Sequence, residues 1–248
     1  MKISDDSKHF PCPILMGLVT EIFGTAIMMW LGCMGCAFNY GIGPTLPAFA
    51  FGLAILAVVQ MFQSLGPVHI NPGVSLGFLI TKKMSWQRFL VYVLAQYIGS
   101  FLGYGLLIVM IPNERKPVCF LRLKWGTTPV QGFFLEMLAC VILMWIVLGA
   151  VCNKNKPLID SISLRIGLAV GGIIFALEPF TGAGLNSARS IPPNVFANDW
   201  KDHWIYELAP LAGTALGAVM YRWVFDPEED KSLHAYLNKN SPTPTEEA

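Results

Sequence analysis

Glu21 and Asn71 stand 50 positions apart, Glu136 and Asn186 stand 50 positions apart, and the second pair lies 115 positions after the first. Gly99 and Gly103 are answered by Gly213 and Gly217 at an offset of 114. A chain that repeats an acid, an Asn-led segment and a small-xxx-small pair in one order is a duplicated chain. The fold is therefore limited to two copies of one design, and the apolar runs say what each copy is.

Residues 14–38 hold one charge, Glu21; residues 45–65 and 89–111 hold none; residues 132–152 hold only Glu136. Each run exceeds the roughly 20 residues that cross about 30 Å of hydrocarbon at 1.5 Å per residue. Weaker runs at 166–180 and 208–225 bring the number of spans to six. Only 13% of the residues are charged, against about 25% in a soluble domain, so most of this surface faces something other than water. With three spans per copy, the second copy enters the bilayer from the opposite side and the repeats are inverted. The expected fold is an all-α membrane protein of six transmembrane helices plus two re-entrant half-helices.

The half-helices are the Asn-led segments, NPGVSLGFL from Asn71 and NSARSIPPN from Asn186. Both are too short to span a bilayer. Asn is a strong helix N-cap and Pro72 stands at the first helical position, where its missing N–H costs nothing. One such segment alone reads equally well as a surface helix in a loop. Two at equivalent places in inverted halves read as re-entrant pieces meeting near the midplane, where irregular backbone survives only against protein or a water-filled cavity.

The first apolar run follows Lys2 and Lys8, as a secretory signal would, but it is long for a signal core and has no small-residue cleavage site, so it is expected to be a retained span. Placing the N-terminus in the cytoplasm puts eleven of the 17 Lys and Arg residues on inner segments and six on outer ones, which favours cytoplasmic termini. The expected organisation is a cytoplasmic segment at 1–13, a channel domain at 14–225 with repeats at about 14–112 and 129–225, and a disordered cytoplasmic tail at 226–248. The formal net charge of +1 offers nothing to a nucleic acid. Six cysteines are present, at 12, 33, 36, 119, 140 and 152. Their pattern matches neither a zinc site nor a secreted disulfide framework, and Cys33 and Cys36 read as small packing residues despite their CxxC spacing.

HINPGVSLG at 69–77 and TGAGLNSARS at 181–190 resemble the two Asn-Pro-Ala loops of the aquaporin (major intrinsic protein) family. Glu21 followed by Gly24 and Thr25, and AQYIGSFLG at 95–103, fit the same pattern, so the resemblance spans roughly residues 14–225. Two departures stand out. Gly73 replaces alanine in the first motif and should loosen its first turn; Ser187 replaces the rigid proline of the second.

The resemblance implies a passive pore that conducts water and small neutral solutes such as glycerol or urea while excluding protons and ions, with no cofactor and no ion gradient. It places Asn71 and Asn186 at the pore centre and an outer selectivity filter at Phe51, Ile174, Ala183 and Arg189. A one-residue insertion before Thr181 would put Ile173 in the filter instead. No histidine lies between Arg165 and Pro179, where strict water channels of the family resemble one another in having one, so the filter is expected to be wide and apolar. Ser190 follows Arg189 where dedicated glycerol channels carry an acid, which keeps water as the primary substrate. Glu21 and Glu136 are expected to brace the loops rather than carry protons, because a buried carboxylate needs donors and irregular loop N–H groups supply them. His69 reads as a loop-packing residue. Glu178 has no role in the family pattern and is expected at the pore mouth or on an outer-loop Lys or Arg. A homotetramer in the plasma membrane follows by the same resemblance. The competing readings are a non-conducting junction or adhesion protein, a secondary transporter, for which no coupling-ion site is visible, and an intramembrane enzyme, for which no nucleophile and base are found.

Overall fold

The computed structural model describes residues 14–37, 43–124, 126–151 and 161–225. The expected cytoplasmic segment at 1–13 and tail at 226–248, with Cys12 and Cys152, lie outside the described residues. Among those residues every regular element is helical. Eight α-helices follow one another: α1 (Ile14–Ala37), α2 (Thr45–Phe62), α3 (Pro72–Ile80), α4 (Trp86–Met110), α5 (Pro129–Val151), α6 (Ile162–Thr181), α7 (Ser187–Ala197) and α8 (Trp204–Met220).

Five of these, α1, α2, α4, α5 and α6, are long and apolar enough to cross a membrane. The sixth span, α8, has 17 helical residues and continues into a π turn over Tyr221–Phe225. It starts at Trp204, four residues before the apolar run at 208–225. The reason is local: Glu207 breaks the run in the sequence, yet sits in the first turn of the helix, where an acid suits the dipole. The helix α6 likewise starts at Ile162 rather than 166.

The packing repeats as the sequence does. The strongest pairings are α1 with α4, α5 with α8, and α2 with α6. The first two are the same contact in each half. A Cβ on Gly99 or Gly103 would strike the carbonyls of Ile22 or Ala26 in α1, and one on Gly213 would strike that of Met137 in α5. Close backbone approach through small residues is how helices associate where lipid removes the hydrophobic drive. The third pairing joins the halves: a Cβ on Gly52 would lie 2.8 Å from the carbonyl of Gly167. Each half-helix leans on the other half, α3 against α8 and α7 against α4. The long apolar side chains that remain exposed, such as Leu94, Leu102, Val109, Leu138 and Leu168, cover the outside of the bundle, as lipid-facing positions do.

Candidate functional site

The two half-helices begin where the sequence places them. Asn71 and Asn186 are the N-caps of α3 and α7, both in extended backbone conformation. Oδ1 of Asn71 accepts from Gly73 N at 2.8 Å. Oδ1 of Asn186 accepts from Ala188 N at 3.0 Å and Arg189 N at 3.3 Å. The second cap holds without a proline, so Ser187 does not undo the helix start.

Gly73 departs from the expectation of a loosened turn. A Cβ there would stand 2.8 Å from Oγ1 and 3.0 Å from Cγ2 of Thr214 on α8. The space of the absent methyl is occupied from the other repeat, which is information the local sequence does not contain. Gly73→Ala is expected to destabilise the fold by about 1–3 kcal/mol through overpacking, and Thr214→Ala in the same chain to recover most of it. Thermal unfolding of the two single variants and the double variant checks this; simple additivity would refute the fit.

The two caps are cross-connected. Nδ2 of Asn71 donates to Leu185 O at 3.0 Å, and Nδ2 of Asn186 donates to Ile70 O at 2.7 Å. Each amide has a second N–H, and both residues line the central cavity. Ile70 and Leu185, which supply the carbonyls, both have left-handed backbone, with φ of 48° and 57°. Non-glycine residues hold that conformation only where the surroundings impose it.

The surroundings are the two buried acids. Glu21 accepts from His69 N at 2.6 Å and Ile70 N at 2.7 Å. Glu136 accepts from Gly184 N at 2.9 Å and Leu185 N at 2.8 Å. Both carboxylates are fully buried. A third donor completes each set, and here the halves differ: Gln96 Nε2 reaches Glu21 at 2.7 Å, while Thr181 Oγ1 reaches Glu136 at 2.5 Å. Neither Gln96 nor Thr181 was visible as a partner in the sequence, because the repeat offset relates them to nothing. His69 does two things. Its Nδ1 lies 3.0 Å from Ser75 Oγ and its ring packs 4.3 Å from that of Phe78, and it also lines the central cavity.

Among the described residues, a pair of cavities meets inside the bundle. The larger, about 360 Å³, runs past Gln63, Val151 and Ile162, through a wall of Val, Ile, Leu and Phe, to Asn71 and Asn186. The smaller one, about 210 Å³, is lined by Cys36, Pro47, Cys119, Phe120, Lys124 and Glu178. Four residues line both: Phe51, Ile174, Ala183 and Arg189. Ile173 lines neither and packs on the core. Arg189 is buried, with its guanidinium 5.2 Å from the Phe51 ring centroid. Its Nη1 donates to Cys119 O at 3.0 Å and its Nη2 approaches Cys119 Sγ at 3.4 Å. Glu178 forms an ion pair with Lys124, a cation of the loop between α4 and α5. Arg122 pairs with Asp199 at the rim, and that hydrogen bond holds the Asp199 carboxyl below its usual range.

One sequence reading is overturned at this end of the bundle. Cys33 is disulfide-bonded to Cys119, with Cα atoms 5.4 Å apart. The partners are 86 positions apart, and only the return of the loop between α4 and α5 onto α1 brings them together. Cys36 is a free, half-buried thiol and Cys140 a free, buried one, in keeping with packing. Among the described residues no cluster of His, Cys, Asp and Glu suited to a metal ion is found.

The model of the family described as major intrinsic protein matches residues 11–221. The chain belongs to the major intrinsic protein family. It is 31% identical over 217 residues to aquaporin-4 of Mus musculus, covering 84% of this chain and 67% of that protein. It is 32% identical over 215 residues to the lens fiber major intrinsic protein of Gallus gallus, covering 85% and 81%. Among solved structures, the aquaglyceroporin from Plasmodium falciparum superposes with a TM-score of 0.72 at 24% identity, covering 88% of this chain and all of that one, which shows the shared fold. This major intrinsic protein is thus an integral membrane protein and a passive channel for water or small solutes, not an enzyme.

Proposed function

We propose that this channel conducts water as its primary substrate, passes small neutral solutes such as glycerol and urea, and excludes protons and other ions. The observation that carries the reading is the pair of Asn-capped half-helices meeting tip to tip, cross-bonded through Asn71 and Asn186, in an otherwise apolar cavity. Each helix start contributes roughly half a positive charge together with N–H groups that lack helical partners. Two such ends at one depth raise a positive potential that opposes hydronium and metal cations. A water molecule accepting from the remaining amide N–H groups turns its own hydrogens outward and cannot pass a proton along the file. Selectivity from lining donors and half-helix dipoles is an established account of aquaporin-type pores.

Solute choice is assigned to Phe51, Ile174, Ala183 and Arg189. One cation faces three apolar surfaces, so a polyol can set its hydroxyls on Arg189 and its carbon edge on the opposite side. Glu21 and Glu136 serve as braces, since their oxygens are taken up by loop donors rather than offered to the lumen. Supporting cytoplasmic termini is the excess of basic residues on the segments then placed inside, and the plasma membrane is proposed as the membrane that holds the channel. Homotetrameric assembly is proposed by likeness to the family.

The test is stopped-flow light scattering of proteoliposomes, with an osmotic step for water and an isotonic gradient for glycerol and urea. Wild-type protein should swell in all three. Ile174→His adds bulk and a second donor and is expected to lower glycerol permeability by about tenfold, with a smaller loss for water. A wild-type channel that conducts water while excluding both solutes would make this a strict water channel.

A further inference from the structure

The loop between α4 and α5 is fastened on both sides of one residue. Before it, Tyr104 Oη donates to Val118 O at 2.7 Å. After it, Leu121 exchanges two bonds with the Asn194 side chain, 2.9 Å from its N–H and 3.0 Å to its carbonyl. Between these ties stands Cys119, with a left-handed φ of 64° and a covalent bond to Cys33, a fully buried residue of α1. Among the described residues, both side-chain hydrogen bonds of the Arg189 guanidinium go to Cys119, one to its carbonyl and one to its sulfur. Cys119 also lines the smaller cavity beside Phe51 and Ile174.

We propose that Cys119 is a positioning residue of the selectivity filter and that the Cys33–Cys119 disulfide sets the filter's width by holding the Cys119 carbonyl against Arg189. The inference rests on the channel reading given above. Its physical basis is geometric. The covalent bond tethers Cys119 to α1, and reduction replaces that tether with two thiols that are free to separate. Cys33 belongs to a packed helix, so the loop residue moves. A left-handed non-glycine backbone relaxes when its restraint is lost. The carbonyl that orients Arg189 then withdraws, and the guanidinium gains room to swing from Phe51. A soluble dithiol achieves the change by giving two electrons to the bridge; its two protons pass to the Cys33 and Cys119 sulfurs, and the reagent closes into a cyclic disulfide. The pore mouth is a site where such a bond persists, provided it faces an oxidising exterior.

The experiment uses full-length protein in proteoliposomes, carrying Cys36→Ser so that no neighbouring thiol exchanges with the bridge. Peptide mass mapping establishes the Cys33–Cys119 linkage before the dithiol and its absence after it. Water and glycerol permeabilities are then measured in both states. The expected result is a glycerol-to-water permeability ratio that rises by about threefold or more on reduction. Adding Cys33→Ser should reproduce the raised ratio without the dithiol and make the channel indifferent to it. If that variant fails to insert, the dithiol comparison on already folded protein decides. A ratio unchanged or lowered by verified reduction overturns the inference and leaves the channel reading standing, as does the absence of the linkage from untreated protein. Vesicles that conduct no water in either state overturn both.

Discussion

Asn186→Asp is expected to give a protein that folds, carries water at a rate lowered by about tenfold, and leaks cations. Aspartate caps a helix as well as asparagine does, so the bonds to Ala188 N and Arg189 N survive and α7 remains. What changes is the other side of the residue. The Nδ2 group that donates to Ile70 O at 2.7 Å becomes a carboxylate oxygen facing a carbonyl oxygen. The tie between the two loops is lost, and a negative charge stands where two helix starts had made the potential positive. Proton flux read from a pH dye inside the vesicles, beside the osmotic water step, tests both halves of the expectation. Normal water permeability with ions still excluded would contradict the role assigned to Asn186.

The second large effect is expected at Glu136. Replacing it by alanine leaves Gly184 N and Leu185 N without their acceptor and the Thr181 hydroxyl with only the longer bond to Leu177 O at 3.5 Å. A buried donor without a partner costs about 1–3 kcal/mol, so the loss is on the order of 3–5 kcal/mol even after the site relaxes. The left-handed backbones at Ala183 and Leu185 are then unsupported. Thermal unfolding in detergent should show a large drop in midpoint, and folded yield should fall. Glu136→Gln retains one acceptor and turns an NH2 group toward the remaining donors, so its loss should be smaller. An alanine variant as stable as wild type would remove the bracing role and reopen proton transfer as the reason for a buried acid.

The parts legible in the sequence were those written in local chemistry. Long charge-free runs marked the spans, and asparagine before proline and apolar residues marked the start of α3. The repeat offset then carried that reading to α7, where proline is missing. The same offset aligns the braces, since Glu21 and Glu136 each accept from the two residues just before the capping asparagine. Four filter positions counted from the motifs are the four that line both cavities, which is a geometric coincidence of the count with the cavity walls rather than a measure of their function.

What could not be read was chemistry supplied from a distance. Thr214 fills the methyl space beside Gly73 from 141 positions away, and nothing in either segment announces it. Gln96 and Thr181 serve equivalent acids from unrelated places in the two halves. The disulfide was missed because Cys33 sits in an apolar run, where a small residue reads as packing, and because its partner lies in a loop whose path no periodicity describes. The start of α8 lies four residues before its apolar run since Glu207 interrupts the hydropathy without interrupting the helix.

The crossed asparagine bonds bear on how the chain is made. A ribosome that has delivered only the first repeat has delivered Asn71 with no Leu185 to hold it and an Ile70 carbonyl with no donor. The first three spans can enter the bilayer, but the centre of the protein is an open circuit until position 186 arrives from the other face. The two crossed bonds can form only once both repeats are present, so a product truncated after the first repeat is expected to leave the Asn71 amide and the Ile70 carbonyl without these partners.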